Sequence, residues 1–119
     1  MTSHLDALCI DASDPLGLAV FWAGVLGWQM TDDPRDDVTL LPNDDTGFPI
    51  RFLPTQAPKV GQNQMHFDLT STSLENQQQT VARSLALGAR HIDVGQTPED
   101  EHVVLADPDG HEFCLLTPR

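Results

Sequence analysis

Apolar positions along this chain alternate between two spacings, and each half of the chain runs through the same cycle. Residues 5–11 alternate: Ala7, Cys9 and Asp11 share one side, Asp6, Leu8 and Ile10 the other, which predicts a strand. The spacing then lengthens. Leu16, Ala19, Val20, Ala23 and Leu26 recur at helical intervals, and Phe21 and Trp22 widen the stripe. Ser13-Asp14-Pro15 offers a capping side chain and a proline at the first helical position, and Gly27 offers the stop. Three strands are predicted next, starting at Trp28, at Val38 and at Phe48, with polar turns over residues 32–37 and 42–47.

The second half repeats the plan. Residues 64–70 read as a strand, with Met65, Phe67 and Leu69 toward the core. Thr72-Ser73-Leu74-Glu75 matches a capping box, with Thr72 as N-cap. The helix it opens runs to Leu87. Leu74, Gln78, Val81, Ala82 and Leu85 mark its inner side, the run Gln77-Gln78-Gln79 reads as solvated surface, and Gly88 ends it. A strand over 90–94 and a polar loop over 95–101 lead to a hairpin. There Val103-Val104-Leu105-Ala106 goes out, Asp107-Pro108-Asp109-Gly110 turns, and Glu112-Phe113-Cys114-Leu115-Leu116 returns. Phe113 and Leu115 face one way. Glu112, Cys114 and Leu116 face the other, a mixture suited to a cavity wall.

Each half thus reads strand, helix, three strands, and the stretch 109–114 maps onto 46–51. The expected organisation is one domain over 1–119: module one over about 4–54, a Pro- and Gly-bearing linker over about 55–63, and module two over about 64–118.

Composition narrows the classes of partner. The chain has 119 residues, enough for a real core, and no apolar run approaches the ~18 residues of a membrane span. Its 18 acidic residues against 6 basic ones leave a net charge of −12, which repels phosphate backbones and anionic lipids. No nucleic-acid or membrane partner is expected. The first residues lack a basic start and an apolar stretch, so the expected compartment is the cytoplasm. Cys9 and Cys114 are far apart in sequence and are read as free thiols.

The order of these pieces resembles a known family. Its carriers are Asp14-Pro15, Phe21-Trp22, Leu26-Gly27-Trp28, Met65-His66-Phe67-Asp68-Leu69, Leu87-Gly88-Ala89, and the stretch from Leu105 through Cys114. Together they resemble the vicinal oxygen chelate superfamily of glyoxalase I, extradiol dioxygenases and bleomycin-resistance proteins. Within it, the chain looks most like the compact glyoxalase-like domain proteins. The resemblance implies an α+β fold of two tandem βαβββ modules, whose sheets curl around one cleft with helices outside. It also implies a homodimer.

In metal-using relatives each module supplies one ligand from its first strand and one from its last. The matching positions here are Ala7 and Arg51 in module one, and His66 and Cys114 in module two. His66 and Cys114 are able to hold a divalent metal; Ala7 has no donor, and Arg51 is a permanent cation. No metal or other cofactor is therefore expected, with His66 and Cys114 the weak candidates should one bind.

Arg51 suits a forked contact to a carboxylate or phosphate oxygen, or an ion pair with Asp11, Asp68 or Glu112. His66 reads either as a ligand-orienting group or base, or as a partner of Asp68 or Glu112. Cys114 acts as a nucleophile only where something lowers its pKa; otherwise it is packing. Trp22 reads as core, whereas Trp28 either stacks on a flat ligand or packs inside. His4, His91, His102 and His111 are placed as loop or surface residues, and Asp107, Asp109 and Gly110 belong to the turn.

The expected function is binding of a small organic ligand without the usual catalytic metal, through Arg51, His66, Trp28, Asp68 and Cys114. The alternative is an enzyme, a lyase, isomerase or dioxygenase relative, using a cleft metal or the chemistry of His66, Glu112 and Cys114. A third reading is a dimerising interaction module.

Overall fold

A computed structural model describes residues 5–32, 38–56, 65–92 and 102–116. Residues 33–37 of the expected turn over 32–37, the linker beyond Gln56, residues 93–94 of the strand expected over 90–94, the loop at 95–101 and His4 lie outside them. The chain divides into two units, Met1–Pro58 and Lys59–Arg119.

Unit one runs β1 (Leu8–Ala12), α1 (Pro15–Leu26), β2 (Gln29–Asp32), β3 (Val38–Leu41) and β4 (Ile50–Pro54). Unit two runs β5 (Phe67–Leu69), α2 (Leu74–Ala86), β6 (Arg90–His91), β7 (Val103–Ala106) and β8 (Glu112–Leu115). Both four-stranded sheets have the same order: β1-β4-β3-β2 and β5-β8-β7-β6. In each, the first strand lies parallel to the last, and the other pairs are antiparallel. Parallel neighbours need a long crossover, and α1 or α2 with the strands after it supplies that length. The two βαβββ units and the α+β class expected from the sequence are both present.

In unit one the pleat sorts the side chains by face. Ala12, Val38, Leu40, Ile50 and Phe52 are buried, while Cys9 and Asp11 are exposed and Thr39, Arg51 and Leu53 half-buried between them. Helix α1 covers the buried face with Leu18, Ala19, Phe21, Trp22 and Val25. Phe21 and Trp22 meet edge to face, ring centroids 5.1 Å apart. This corrects the expected inner stripe. Leu16 and Val20 are 53% and 49% exposed, on the opposite side of the helix. The stretch is apolar nearly all round, so spacing alone does not select a face; the two large rings take the core because they bury the most area.

The helix ends follow the local chemistry. Asp14 is the N-cap of α1, its carboxylate accepting from Gly17 N–H at 3.1 Å, with Pro15 in the first turn. Gly27 closes the helix in the left-handed region at φ 73, its N–H donating to the Ala23 carbonyl at 2.9 Å. In α2 the N-cap is Ser73, one residue later than the expected Thr72. Ser73 is extended, and its Oγ accepts from Asn76 N–H at 3.0 Å.

Two further corrections concern unit two. Strand β5 begins at Phe67, and Met65 is 74% exposed rather than core. The inner side of α2 is polar. Gln77 and Ser84 are buried, Val81 is half-buried, and Leu74, Gln78, Ala82 and Leu85 are exposed. The physical reason is a backbone group. Gln77 Nε2 donates to the Leu115 carbonyl at 2.9 Å, pairing a buried acceptor on β8 that would otherwise be costly. Ser84 Oγ donates to the Thr80 carbonyl at 2.8 Å, so its hydroxyl is satisfied within the helix. Phe113, Leu115 and Leu105 form the apolar floor of the unit, each fully buried.

Among the described residues no helix is long and apolar enough to cross a membrane.

Candidate functional site

The sheet order decides which polar side chains meet. Because the last strand lies parallel to the first, Asp68 on β5 stands beside Cys114 on β8 in direct register. Register partners project to the same face. His66 precedes Asp68 by two residues, and its Nε2 lies 3.0 Å from Asp68 Oδ1. Potential donor atoms of His66, Asp68 and Cys114 all lie within 4.8 Å of one another. His66 and Asp68 are about half exposed, at 49% and 50%, so the cluster is open to solute.

Asp68 is the shared acceptor of this cluster. It pairs with the imidazole on one side and accepts a hydrogen bond from the thiol on the other. Burial raises the Cys114 pKa first; the Asp68 charge and its hydrogen bond raise it further. The condition for a nucleophilic Cys114 was a lowered pKa, and the shift runs the other way. Two rates follow. Cys114 in the folded protein should be alkylated more slowly at pH 8 than the same residue in the urea-unfolded chain. Asp68→Asn should speed the folded rate, because the carboxylate that holds the proton is gone. Iodoacetamide labelling followed by peptide mapping separates Cys114 from Cys9. An unchanged rate in Asp68→Asn removes Asp68 from the thiol's surroundings.

Glu112 shares the Cys114 face by alternation and is buried, in register with Ala106. Below it the hairpin turn is pinned by Asp107. Its Oδ1 accepts from the N–H groups of Asp109 and His111, at 3.0 and 2.9 Å, and Gly110 sits at φ 90. His111 Nδ1 lies 3.4 Å from Asp107 Oδ2, so this histidine and this aspartate are occupied with turn structure.

The equivalent row in unit one has different chemistry. Arg51 on β4 is in register with Cys9 on β1 and with Thr39 on β3, and Thr39 is in register with Thr31 on β2. Thr31, Thr39, Arg51 and Cys9 therefore cross one sheet in a single row, on the face away from α1. The two threonines were missed in the sequence. The alternation of Val38, Thr39 and Leu40 signalled that Thr39 points away from the core, but not which residue it would stand beside. Trp28 is 8% exposed, and its indole N–H donates to Asp44 Oδ2 at 3.1 Å. The other Asp44 oxygen accepts from Thr46 N–H at 2.9 Å; that bond is the first of several lowering the Asp44 pKa.

A metal centre needs donor atoms at the positions that the resemblance assigns to ligands. The module-one positions fail that test: Ala7 has no donor atom, and Arg51 brings a positive charge. The module-two positions pass it, and Asp68 adds a third donor beside them.

Two βαβββ units with identical strand order define the fold of the vicinal oxygen chelate superfamily. The chain belongs to its glyoxalase-like domain family, whose sequence profile matches residues 7–116. No curated protein matches it in sequence. Solved structures do match. A glyoxalase/bleomycin resistance protein/dioxygenase family enzyme from Burkholderia phytofirmans PsJN is 19% identical, with TM-score 0.75 over 95% of this chain and 97% of its own. The fosfomycin resistance protein FosX from Listeria monocytogenes is 16% identical, with TM-score 0.74 over 100% of this chain and 94% of its own. A variant of that Listeria protein was solved with manganese(II) and a dihydroxypropylphosphonic acid. Oxidase ChaP-H2 is 19% identical, with TM-score 0.70 over 100% of this chain and 96% of its own. At these identities the likeness is one of fold.

Proposed function

We propose that this protein binds a small anionic organic molecule, a carboxylate or a phosphonate, and that Arg51 holds its charged end without the superfamily's four-ligand metal. The supporting observation is the row on the unit-one sheet, where Arg51 stands between Cys9 and Thr39, with Thr31 one strand further. A guanidinium offers forked donors to a planar or tetrahedral oxyanion, and a hydroxyl beside it adds a neutral donor. By the resemblance, metal-using relatives carry a ligand at this position, so here a cationic side chain takes the place of a metal-binding one. A protein of net charge −12 gains nothing from its overall field when it takes up an anion, which leaves the recognition to local groups such as Arg51. A fold that seats a small phosphonic acid in the Listeria variant is a reasonable container for such a ligand.

The enzymatic reading rests on the His66, Asp68 and Cys114 cluster. A thiol kept protonated is a poor nucleophile, so that reading falls to His66 and Glu112 as proton-transfer groups or to a metal.

Thermal-shift and calorimetric titration with a panel of short carboxylates and phosphonates tests the proposal, each paired with its neutral amide or alcohol. The anionic member of at least one pair should bind, and Arg51→Gln should weaken it by about tenfold or more, the loss expected for a charged hydrogen bond. Thr39→Val should cost less. Binding unchanged by Arg51→Gln, or equal for the neutral partner, overturns the reading.

A further inference from the structure

The geometry points to a second site: a three-ligand centre for a soft or borderline divalent cation, zinc above all, made by His66, Asp68 and Cys114 of unit two alone. It does not rest on the anion reading, because Arg51 takes no part in it.

The scaffold is fixed by strand pairing. Asp68 and Cys114 are register partners on parallel strands, and His66 lies one pleat period before Asp68 on the same face. Nothing from unit one is needed to assemble the three groups. The counterpart of Asp68 in the repeat is Cys9, and that of Cys114 is Arg51, so the triad is a property of one half of the duplicated fold. The superfamily centre takes first-strand and last-strand donors from both halves. This one substitutes an extra first-strand carboxylate for what the other half lacks.

The distances suit a small ion. Zinc bonds of about 2.0–2.3 Å in a tetrahedron separate neighbouring donors by about 3.3–3.8 Å. Here every pair of donor atoms lies within 4.8 Å, and the imidazole and carboxylate are already at 3.0 Å. The largest adjustment is about an ångström, and the half-exposed His66 and Asp68 have room to make it.

The donor set selects the ion. Nitrogen, oxygen and sulfur together suit zinc, whereas magnesium and calcium prefer all-oxygen shells. One thiolate and one carboxylate neutralise the two positive charges, and the imidazole binds as the neutral base. Cys114 gives up its thiol proton to solvent as the sulfur–metal bond forms, and the Asp68 carboxylate exchanges its hydrogen bonds for the ion. Three protein ligands leave one position open for water or for an oxygen of a bound molecule.

Cobalt(II) is the probe, because its bond to a thiolate gives a near-ultraviolet charge-transfer band that no oxygen or nitrogen ligand produces. The full chain is stripped with chelator, dialysed and titrated with cobalt(II), then with zinc(II). The expected result is the thiolate band saturating at one equivalent per chain, bleached by zinc. Cys114→Ser should abolish the band while Cys9→Ser leaves it intact. Asp68→Asn and His66→Ala should each weaken affinity by at least about tenfold, as ligand loss does at least as much as loss of an outer-shell partner. Far-ultraviolet circular dichroism confirms that each variant is folded before titration. Absence of the band, its survival in Cys114→Ser, or its loss in Cys9→Ser overturns the site. Full affinity in Asp68→Asn overturns the three-ligand assignment even if a metal binds.

Discussion

Trp22→Ala should lower stability by ~3–5 kcal/mol, the usual cost of emptying a buried aromatic site. Trp22 is 1% exposed, packs edge to face on Phe21, and belongs to the helix face that covers the unit-one sheet. Total stabilities of ~5–15 kcal/mol make that a large fraction of the whole. Leu16→Ala, in the same helix, should change stability by only ~0.5 kcal/mol, because Leu16 is 53% exposed. Denaturant midpoints of the two variants decide between two faces of α1. Equal losses would mean that the helix is rotated and the stripe through Leu16 and Val20 is the buried one. Leu18→Ala repeats the comparison with a smaller side chain should Trp22→Ala not fold; ~2–5 kcal/mol is expected there.

The second large effect is expected at Asp107. Its side chain is 1% exposed and holds two backbone N–H groups of the hairpin loop, those of Asp109 and His111. The loop's own backbone bonds are few: Gly110 N–H donates to the Asp107 carbonyl, and Asp107 N–H to the His111 carbonyl, both at 2.9 Å. Asp107→Ala strips two donors of their acceptor and leaves a small void, at a cost of ~2–4 kcal/mol. Asp107→Asn retains one carbonyl oxygen and should lose about half as much, ~1–2 kcal/mol. Amide exchange at Asp109 and His111 should accelerate most in the alanine variant. A loss below ~0.5 kcal/mol in Asp107→Ala would show that water replaces the carboxylate at no cost. The hairpin carries Glu112 and Cys114, so Asp107→Ala should also weaken any cobalt bound at Cys114, through disorder of β8 rather than loss of a ligand.

Some of this was legible in the residues alone. Asp14-Pro15 and Gly27 bracketed α1 correctly because caps are short-range chemistry: a side chain reaching the third residue on, a ring that fixes φ, a residue that tolerates φ of 73. Pro108 and Gly110 marked the hairpin turn for the same reason. The equivalence of Arg51 and Cys114 across the two halves is matched by register: Arg51 stands beside Cys9 and Cys114 beside Asp68, each the second residue of its unit's first strand.

The helix faces were not legible, and the reasons differ. In α1, Phe21-Trp22-Ala23-Gly24-Val25-Leu26 has no polar residue to mark an outside, so the choice falls to whichever rings fill the space over the sheet. In α2, the apolar Leu74 and Leu85 invited burial, but the sheet offered a carbonyl at Leu115 that needed a donor. A glutamine read as solvated surface took the inner position because an unpaired buried carbonyl costs more than an exposed leucine.

The candidate site divides along the same line. His66, Asp68 and Cys114 were each visible as residues able to bind or titrate, and the parity of β8 already put Cys114 on the face away from the core. That Asp68 would sit in register with Cys114, and so raise its pKa and complete a three-donor cluster, depended on the parallel pairing of β5 with β8. The row of Thr31 and Thr39 beside Arg51 came from pairing as well.

By itself the sequence determined the element order, the repeat of two βαβββ units, the helix caps, the hairpin turn and the negative charge, because each depends on neighbours within a few residues or on composition. Only the tertiary structure decided which helix faces are buried and which polar side chains share a row. Those depend on register between strands far apart in sequence, where a slip of one residue sends every side chain to the opposite face.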